Sequence, residues 1–240
     1  MGASADNRPS VEELAAYYAQ PREYNFATQC RMELLGDMRG KRVLDVDCRR
    51  GKGVIKLSDQ VGGHGYALGV DPNPEFIAIS LEYMDGAWRK NGLLKNNMAY
   101  KVAYPERLVD CGVPEEYFDM VFCNSSITLA YDPKLAFAEM FRVLRPGGTL
   151  IYDGAVCQEA RDPEVVAQAR VIGNAIQAAY SADDLRDYVV AAGFDAPEFY
   201  NICVVDADTG FKDDYKVPTV ESDEAVTFLR VTARIYKPRY

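Results

Sequence analysis

The sequence is poor in the features that mark membrane and nucleic-acid-binding proteins. A membrane-spanning helix needs roughly 18 or more consecutive apolar residues, and the sequence has no such run. Its first residues also lack the apolar core of a signal peptide. Basic residues are outnumbered by acidic ones, 27 against 36, and the net charge is −9. Binding to the phosphates of a nucleic acid requires clustered Lys and Arg. We therefore expect no nucleic acid and no membrane as partner, and we favour a small-molecule substrate.

Histidine is nearly absent, and the cysteines are scattered. His64 is the single histidine, and none of the six cysteines forms a Cys-x-x-Cys pair. This pattern does not predict a tetrahedral zinc site, so we expect no metal. His64 lies in a glycine-rich turn far from any nucleophile motif, which argues against a Ser-His-Asp triad. Scattered free thiols are typical of a reducing compartment, and we therefore expect a cytoplasmic protein.

What the chain does contain is a strand followed by a glycine-containing turn. Val43, Leu44 and Val46 form a short apolar run that is typical of a buried parallel strand. Gly51 and Gly53 then open a helical segment. Strand, glycine turn and helix in this order bring backbone N–H groups close to a polar ligand. The segment therefore predicts a site for a nucleotide-type cofactor.

A second strand, over residues 66–71, ends in the carboxylate of Asp71. An acid at a strand end about 20 residues after such a turn can accept both hydroxyls of a ribose. The alternative is an ordinary βαβ unit in which this acid only caps the following helix. The sequence alone leaves both interpretations open.

Strand and helix patterns alternate through the rest of the chain. Ser10 and Glu13 form a capping-box pattern that predicts a helix from Val11 to about Gln20. A second helix is predicted over about 25–38, and an exposed loop over 206–224. Further helices are predicted near 74–91, 133–144, 164–178 and 182–192, and further strands near 98–102, 118–123, 149–153, 199–205 and 225–235.

This order resembles the class I S-adenosylmethionine-dependent methyltransferase family over about residues 41–236. The most specific match is the run FRVLRPGG at 141–148, and YFDMV at 117–121 is similar to the family's fourth strand. The resemblance implies an α/β, Rossmann-like sheet of seven strands with helices on both faces, and S-adenosylmethionine as cofactor. It also implies a helical lid over 1–40 and a methyltransferase-like domain over 41–240. The cofactor-binding positions that it implies are Asp45, Asp47, Arg49, Gly51, Asp71, Pro72, Tyr104, Pro105 and Asn124.

Within the family the chain is most similar to the arsenite methyltransferase branch, but it lacks that branch's cysteines. The cysteine after the fourth strand matches Ser125, and the later one matches Ala175 or a neighbour. A soft arsenic centre is held by sulfur. Cys30 could replace one thiol, but one thiol cannot make a trithiolate site, so we expect a methyltransferase that acts on another small molecule.

The cofactor turn also departs from the family, because Asp47 and Arg49 replace two glycines of the pattern Asp-x-Gly-x-Gly-x-Gly. Glycine there lets the backbone approach the ligand closely. The Arg49 side chain could fill that space, swing outward, pair with the cofactor's carboxylate or belong to a solvated basic loop. The changed turn keeps two alternatives open: a protein of this fold that has lost methyl transfer and binds another ligand or partner, and an enzyme of another class.

The helices before the first strand are rich in tyrosine. Tyr17, Tyr18 and Tyr24 could form an aromatic lid over the pocket, and Tyr180 could join them. Ordinary helix packing is the alternative, and it is the one that we favour. The catalytic residues and the oligomeric state cannot be read from the sequence.

Overall fold

The computed structural model describes residues 8–20, 32, 36–206, 219–220 and 226–240. A single sheet of seven strands runs through this part of the chain. The strands are β1 (Arg42–Val46), β2 (Tyr66–Asp71), β3 (Met98–Val102), β4 (Phe118–Asn124), β5 (Leu144–Cys157), β6 (Glu198–Val204) and β7 (Phe228–Tyr236).

Six α-helices surround the sheet in the described ranges. They are α1 (Val11–Tyr18), α2 (Lys52–Val61), α3 (Pro74–Lys90), α4 (Pro133–Val143), α5 (Pro163–Ile172) and α6 (Ala182–Ala191). Short 3-10 turns follow β3 at Pro105–Cys111 and β4 at Ser125–Leu129. None of the described helices is both long enough and apolar enough to cross a membrane.

The strands are ordered β3-β2-β1-β4-β5-β7-β6. Strands β1 to β5 pair in parallel, and β7 pairs antiparallel with both β5 and β6. The predicted α/β sheet of seven strands, with one antiparallel strand near its C-terminal end, is therefore confirmed. Since the first strands are parallel, their carboxyl ends meet at one edge of the sheet, where α/β folds bind ligands.

Both faces of the sheet are covered, because its strands bury side chains on alternating sides. Leu44 and Val46 of β1 belong to a core formed with α4 and α6. Val43, whose side chain lies on the opposite face of the strand, packs instead with α2 and α3. The helices on both faces that the sequence predicted are thus confirmed.

Some predicted boundaries are wrong, and others lie outside the described residues. The helix predicted over 164–178 ends at Ile172, because Gly173 takes a left-handed φ of 81° and stops it. The side chain of Asn174 then accepts from the amides of Ile176 and Gln177, which replaces helical bonding. The helix predicted over 25–38 and the loop over 206–224 fall largely on residues that are not described.

The first helix begins as predicted. The Ser10 side chain accepts from the amide of Glu13, and the Glu13 carboxylate accepts from the amide of Ser10. This reciprocal capping satisfies two amide donors that an uncapped helix leaves open. The helix ends at Tyr18, two residues before the predicted end.

Candidate functional site

A pocket of about 690 Å³ opens at the carboxyl edge of the parallel strands. This volume lies within the usual range for small-molecule sites. The lining residues come from α1, the turn after β1, the end of β2, the start of α3 and the turns after β3 and β4. They are Ala15, Tyr18, Ala19, Gln20, Asp47, Arg49, Asp71, Pro72, Asn73, Pro74, Glu75, Phe76, Tyr104, Ser126 and Leu129.

The turn after β1 keeps the backbone path that glycines usually provide. Asp47 and Arg49 have φ angles of 56° and 51°, and Gly51 has a φ of 71°. Non-glycine residues adopt this left-handed conformation at a cost of roughly 1–2 kcal/mol each. The amide of Cys48 donates to the carbonyl oxygen of Val70 at 3.0 Å, which holds the turn against β2. Asp47 and Arg49 therefore both hold a left-handed φ, which glycine adopts without strain.

Lack of space, as well as its left-handed φ, restricts position 51 to glycine. A Cβ there would lie 2.7–2.8 Å from the Tyr100 ring, its hydroxyl oxygen and the Ser80 hydroxyl. Tyr100 donates to the Gly51 carbonyl oxygen at 3.2 Å. Tyr100 therefore packs directly against the residue that precedes α2, and Gly51 lies outside the pocket lining.

Asp71 links the turn to the next helix. Its Oδ2 accepts from the Arg49 amide at 2.7 Å, and its Oδ1 accepts from the Asn73 amide at 2.9 Å. Burial raises the pKa of Asp71, and these two backbone hydrogen bonds oppose that shift. Both sequence interpretations have support here, because the carboxylate lines the pocket and also bonds the residue that caps α3.

Asp45 lies under the turn and outside the pocket lining. A Cβ built on Gly53 would lie 2.5 Å from its Oδ2, so the carboxyl reaches the first turn of α2. Burial, together with the smaller effect of the charges of Asp47 and Asp71, raises the pKa of Asp45 to about 8. At neutral pH this group is therefore mostly protonated, and its part in the site is structural.

The basic residues of the turn differ in exposure. The guanidinium groups of Arg49 and Arg50 lie 5.4 and 5.2 Å from the centre of the Phe76 ring. Arg50 and Lys52 are exposed, whereas Arg49 is half-buried and lines the pocket. Burial lowers the pKa of Arg49, and the Asp71 carboxylate opposes that shift. A solvated basic loop therefore describes Arg50 and Lys52 but not Arg49.

The remaining predicted positions divide between the pocket and its support. Pro72 and Tyr104 line the pocket, while Pro105 is buried behind it at the start of a 3-10 turn. Asn124 lies outside the lining. Its Nδ2 donates to the Asp47 carbonyl oxygen at 3.4 Å, and its Oδ1 accepts from the Ser126 amide at 2.9 Å.

Helix α1 lies against the pocket through two tyrosines. The Tyr18 ring stacks on Tyr104 with a centroid distance of 5.5 Å, and Tyr18 lines the pocket. Tyr17 donates to the Leu129 carbonyl oxygen at 2.8 Å. Tyr180 is a buried core residue that donates to the Ile127 carbonyl oxygen, and it is not part of the lining. Tyr24 lies outside the described residues.

Sequence reasoning missed Phe76, Ser126 and Glu106 as residues of the site or its support. Ser126 donates to Asp47 Oδ2 at 3.1 Å, and Glu106 is a fully buried carboxyl behind Tyr18. A polar residue just after a strand end could have identified Ser126. Glu106 sits two residues after Tyr104, inside a turn whose burial the sequence does not reveal.

The positions that match the arsenite branch's cysteines lie close together. The Thr128 hydroxyl oxygen is 2.8 Å from the carbonyl oxygens of both Ser125 and Ala175. Both residues are fully buried. These positions carry a hydroxyl and a methyl group in place of sulfur. In the ranges that the structure describes, no group of three His, Cys, Asp or Glu residues could hold a metal ion.

The chain is similar to several known methyltransferases. A family model described as a methyltransferase domain matches residues 37–193, more than half of the chain. The arsenite methyltransferase of Mus musculus is 27% identical over 165 residues, which are 68% of this chain and 44% of that relative. The chain thus spans less than half the length of the mouse enzyme.

Two further matches cover a larger share of the other protein's length. The ubiquinone/menaquinone biosynthesis C-methyltransferase UbiE of Serratia proteamaculans (strain 568) is 28% identical over 202 residues, 74% of this chain and 76% of the relative. The crystal structure of CrArsM, an arsenic (III) S-adenosylmethionine methyltransferase from Chlamydomonas reinhardtii, matches with a TM-score of 0.77 at 24% identity. That match covers 93% of this chain and 73% of the other, and at this identity it shows the fold alone.

Proposed function

The chain belongs to the class I S-adenosylmethionine-dependent methyltransferase family, and from that premise we propose that it transfers a methyl group from S-adenosylmethionine to a small molecule other than arsenite. The observation that carries the proposal is the position of Asp71. It is a buried carboxylate at the end of β2, it lines a pocket of about 690 Å³, and it is bonded to the turn after β1.

The residues present fit an adenosyl ligand. A carboxylate has about four lone-pair sites, and two described backbone amides take up two of those of Asp71. The remaining sites can accept the hydroxyls of a ribose. The left-handed turn supports the fit, because its backbone lets a ligand approach between Asp47, Arg49 and Gly51.

We assign the proposed cofactor site accordingly. Asp71 binds the ribose, and the turn containing Asp47, Arg49 and Gly51 lies beside the amino-acid part of the cofactor. Pro72 and Tyr104 form the wall on the side of β2 and β3, with Pro105 behind them. Asn124 does not line the pocket and acts through its hydrogen bond to the Asp47 carbonyl oxygen. Asp45 supports the turn from below.

The bound cofactor would supply a methyl group on a positively charged sulfur, which is reactive toward a nucleophile. The chain's own residues orient the two reactants, which can provide much of the rate of a bimolecular reaction. The acidic side chains Asp47, Asp71 and Glu75 in the lining favour a cationic ligand. We propose that α1, with Tyr18 against Tyr104, closes one side of the pocket against water.

The acceptor is proposed as a small organic molecule. Arsenite is disfavoured because the positions of Ser125 and Ala175 carry no sulfur, and hydroxyl oxygen is a hard ligand that does not replace thiolate on arsenic. The relatives named UbiE are C-methyltransferases of quinone biosynthesis. A carbon nucleophile on an electron-rich ring is therefore a reasonable first class of acceptor to test.

The second candidate is a protein of this fold that binds an adenosyl ligand without transferring its methyl group. The side chains of Asp47 and Arg49 in the pocket lining favour it, because they occupy positions at which the family carries none. The two candidates separate in an assay of S-adenosylhomocysteine formation with a panel of phenolic, quinol, amine and carboxylate acceptors. Acceptor-dependent formation supports the enzyme, and binding without turnover on any acceptor supports the second candidate.

A further inference from the structure

Glu106 is a buried carboxyl that connects α1 to the wall of the pocket. Its side chain is fully buried, and its Oε1 accepts from the Tyr18 hydroxyl at 2.9 Å and from the Asp132 amide at 3.2 Å. Its Oε2 has no hydrogen-bond partner among the residues that the structure describes. Loss of a hydrogen-bond donor to a buried carboxyl is costly.

Helix α1 bridges the two turns that follow β3 and β4. Leu14 is fully buried beneath it, and Tyr17 donates to the Leu129 carbonyl oxygen. The Arg107 guanidinium donates to the Pro9 carbonyl oxygen at 2.9 Å, just before the helix begins. Tyr18, at the last position of the helix, both lines the pocket and contacts Glu106.

We propose that Glu106 is a positioning residue that holds α1 over the pocket through Tyr18, so that this hydrogen bond must open before the bound ligand leaves. The proposal rests on the proposed function, since the ligand is taken to be an S-adenosyl compound. Glu106 does not line the pocket, and it therefore acts through Tyr18. The Tyr18 ring transmits the effect, because it stacks on Tyr104, which lines the pocket as well.

The ionisation of both groups suits such a contact. Burial raises the pKa of Tyr18 well above its usual value, and the charges of Glu106 and Asp47 raise it further, so that the phenol keeps its proton and remains a donor. Burial also raises the pKa of Glu106, while hydrogen bonds from its own backbone amide, from the Tyr18 hydroxyl and from the amides of Asp132 and Tyr131 lower it. Opening α1 would remove the Tyr18 donor from this buried carboxyl.

The test measures how fast S-adenosylhomocysteine dissociates from the natural protein and from Tyr18→Phe, Glu106→Gln and the double variant. We expect Tyr18→Phe to release the ligand roughly ten-fold faster, the effect of losing one buried hydrogen bond, and Glu106→Gln to release it faster than the natural protein. The double variant should release the ligand about as fast as Tyr18→Phe, because Glu106→Gln weakens the same contact that Tyr18→Phe removes. Tyr83→Phe, on an exposed side chain of α3, is the matched control and should leave the rate unchanged.

A second readout needs no ligand. Hydrogen exchange of the α1 amides should accelerate in both single variants, while the amides of β4 keep their protection. A merely destabilised protein would instead lose protection throughout. If Glu106→Gln does not fold, Tyr18→Phe still decides the question through both measurements.

The outcomes separate this inference from the proposed function. If the natural protein does not bind S-adenosylhomocysteine, the proposed function fails, and hydrogen exchange alone judges the contact. If it binds and the two folded variants release ligand at the natural rate, or their effects on the rate add fully, the positioning role of Glu106 is overturned.

Discussion

The backbone amide of Arg49 donates a 2.7 Å hydrogen bond to Oδ2 of Asp71. This contact joins the most altered residue of the turn to the carboxylate that the ribose would require. The left-handed φ of Arg49 presents its amide to the end of β2, as a glycine in that conformation would. The φ of Arg49 and this hydrogen bond therefore tie the backbone of the turn to the end of β2.

Replacing Asp71 by Asn should weaken the binding of S-adenosylhomocysteine. The amide keeps the size of the side chain but loses the charge that ribose hydroxyls would contact, at a cost of about 1.5–3 kcal/mol per hydrogen bond. Thermal shift at saturating ligand should show a reduced stabilisation in Asp71→Asn. Glu82→Gln, on the exposed side of α3, is the control. Equal ligand-induced shifts in the two variants would mean that the ribose lies elsewhere.

Restoring both glycines, Asp47→Gly with Arg49→Gly, should strengthen the binding of S-adenosylmethionine. The two side chains line the pocket, and removing them widens the closest approach between ligand and backbone. The free energy of unfolding changes for two opposing reasons. Relief of the left-handed strain raises it by roughly 1–2 kcal/mol per residue, and the flexibility of glycine in the unfolded chain lowers it by about 0.5–1 kcal/mol. Dissociation constants from fluorescence competition provide the check. Weaker binding in the double variant would identify Asp47 or Arg49 as a favourable ligand contact.

The buried carboxyl of Asp45 should make stability depend on pH. Its folded-state pKa of about 8 lies above the ordinary value of 3.8. Between these two pH values the folded protein holds a proton that the unfolded chain has released, so the free energy of unfolding falls as pH rises through that window. Asp45→Asn cannot ionise and should lack this contribution.

The difference in melting temperature between Asp45→Asn and the natural protein should therefore be small at pH 5 and should grow, in favour of the variant, up to pH 9. Differential scanning fluorimetry across this range measures it. Asp59→Asn, on an exposed residue of α2, serves as the control and should follow the natural profile. Parallel profiles for the natural protein and Asp45→Asn would show that Asp45 ionises normally.

Arsenite should not be methylated. Ser125 and Ala175 lie together around Thr128, but they offer no thiolate to a soft arsenic centre. Incubation with arsenite, S-adenosylmethionine and a free thiol should give methylarsenicals only at the level of a reaction without the protein. Product formation well above that level, detected by chromatography with mass spectrometry, would refute the argument from the missing cysteines.

The strands could be predicted from the sequence because their signals are local. The runs at 66–71 and 98–102 were predicted at the boundaries that the structure shows, since each is a short apolar stretch between polar residues or turns. Asp71 followed from the same reasoning, as a residue at a strand end, whereas Tyr104 was implied only by the resemblance to the family. The helix predicted to reach 178 ended early because one glycine, Gly173, outweighed a continuing apolar pattern.

Other parts of the site depend on contacts that no local pattern encodes. Tyr18 and Glu106 are 88 residues apart in sequence, and only the folded sheet brings them together. The left-handed conformation is uncommon for a residue such as Arg49, so the local sequence does not predict the path of the turn. Tertiary hydrogen bonds, such as those from Asn124 to Asp47 and from Arg49 to Asp71, hold the turn in a conformation that its local sequence does not favour.

The most direct test of the account is a calorimetric titration of the natural protein with S-adenosylhomocysteine. The account predicts saturable binding at one site per chain, with a heat signal that is strongly reduced in Asp71→Asn. No measurable binding of either S-adenosylhomocysteine or S-adenosylmethionine to the folded protein would contradict the central claim that this pocket holds an adenosyl cofactor.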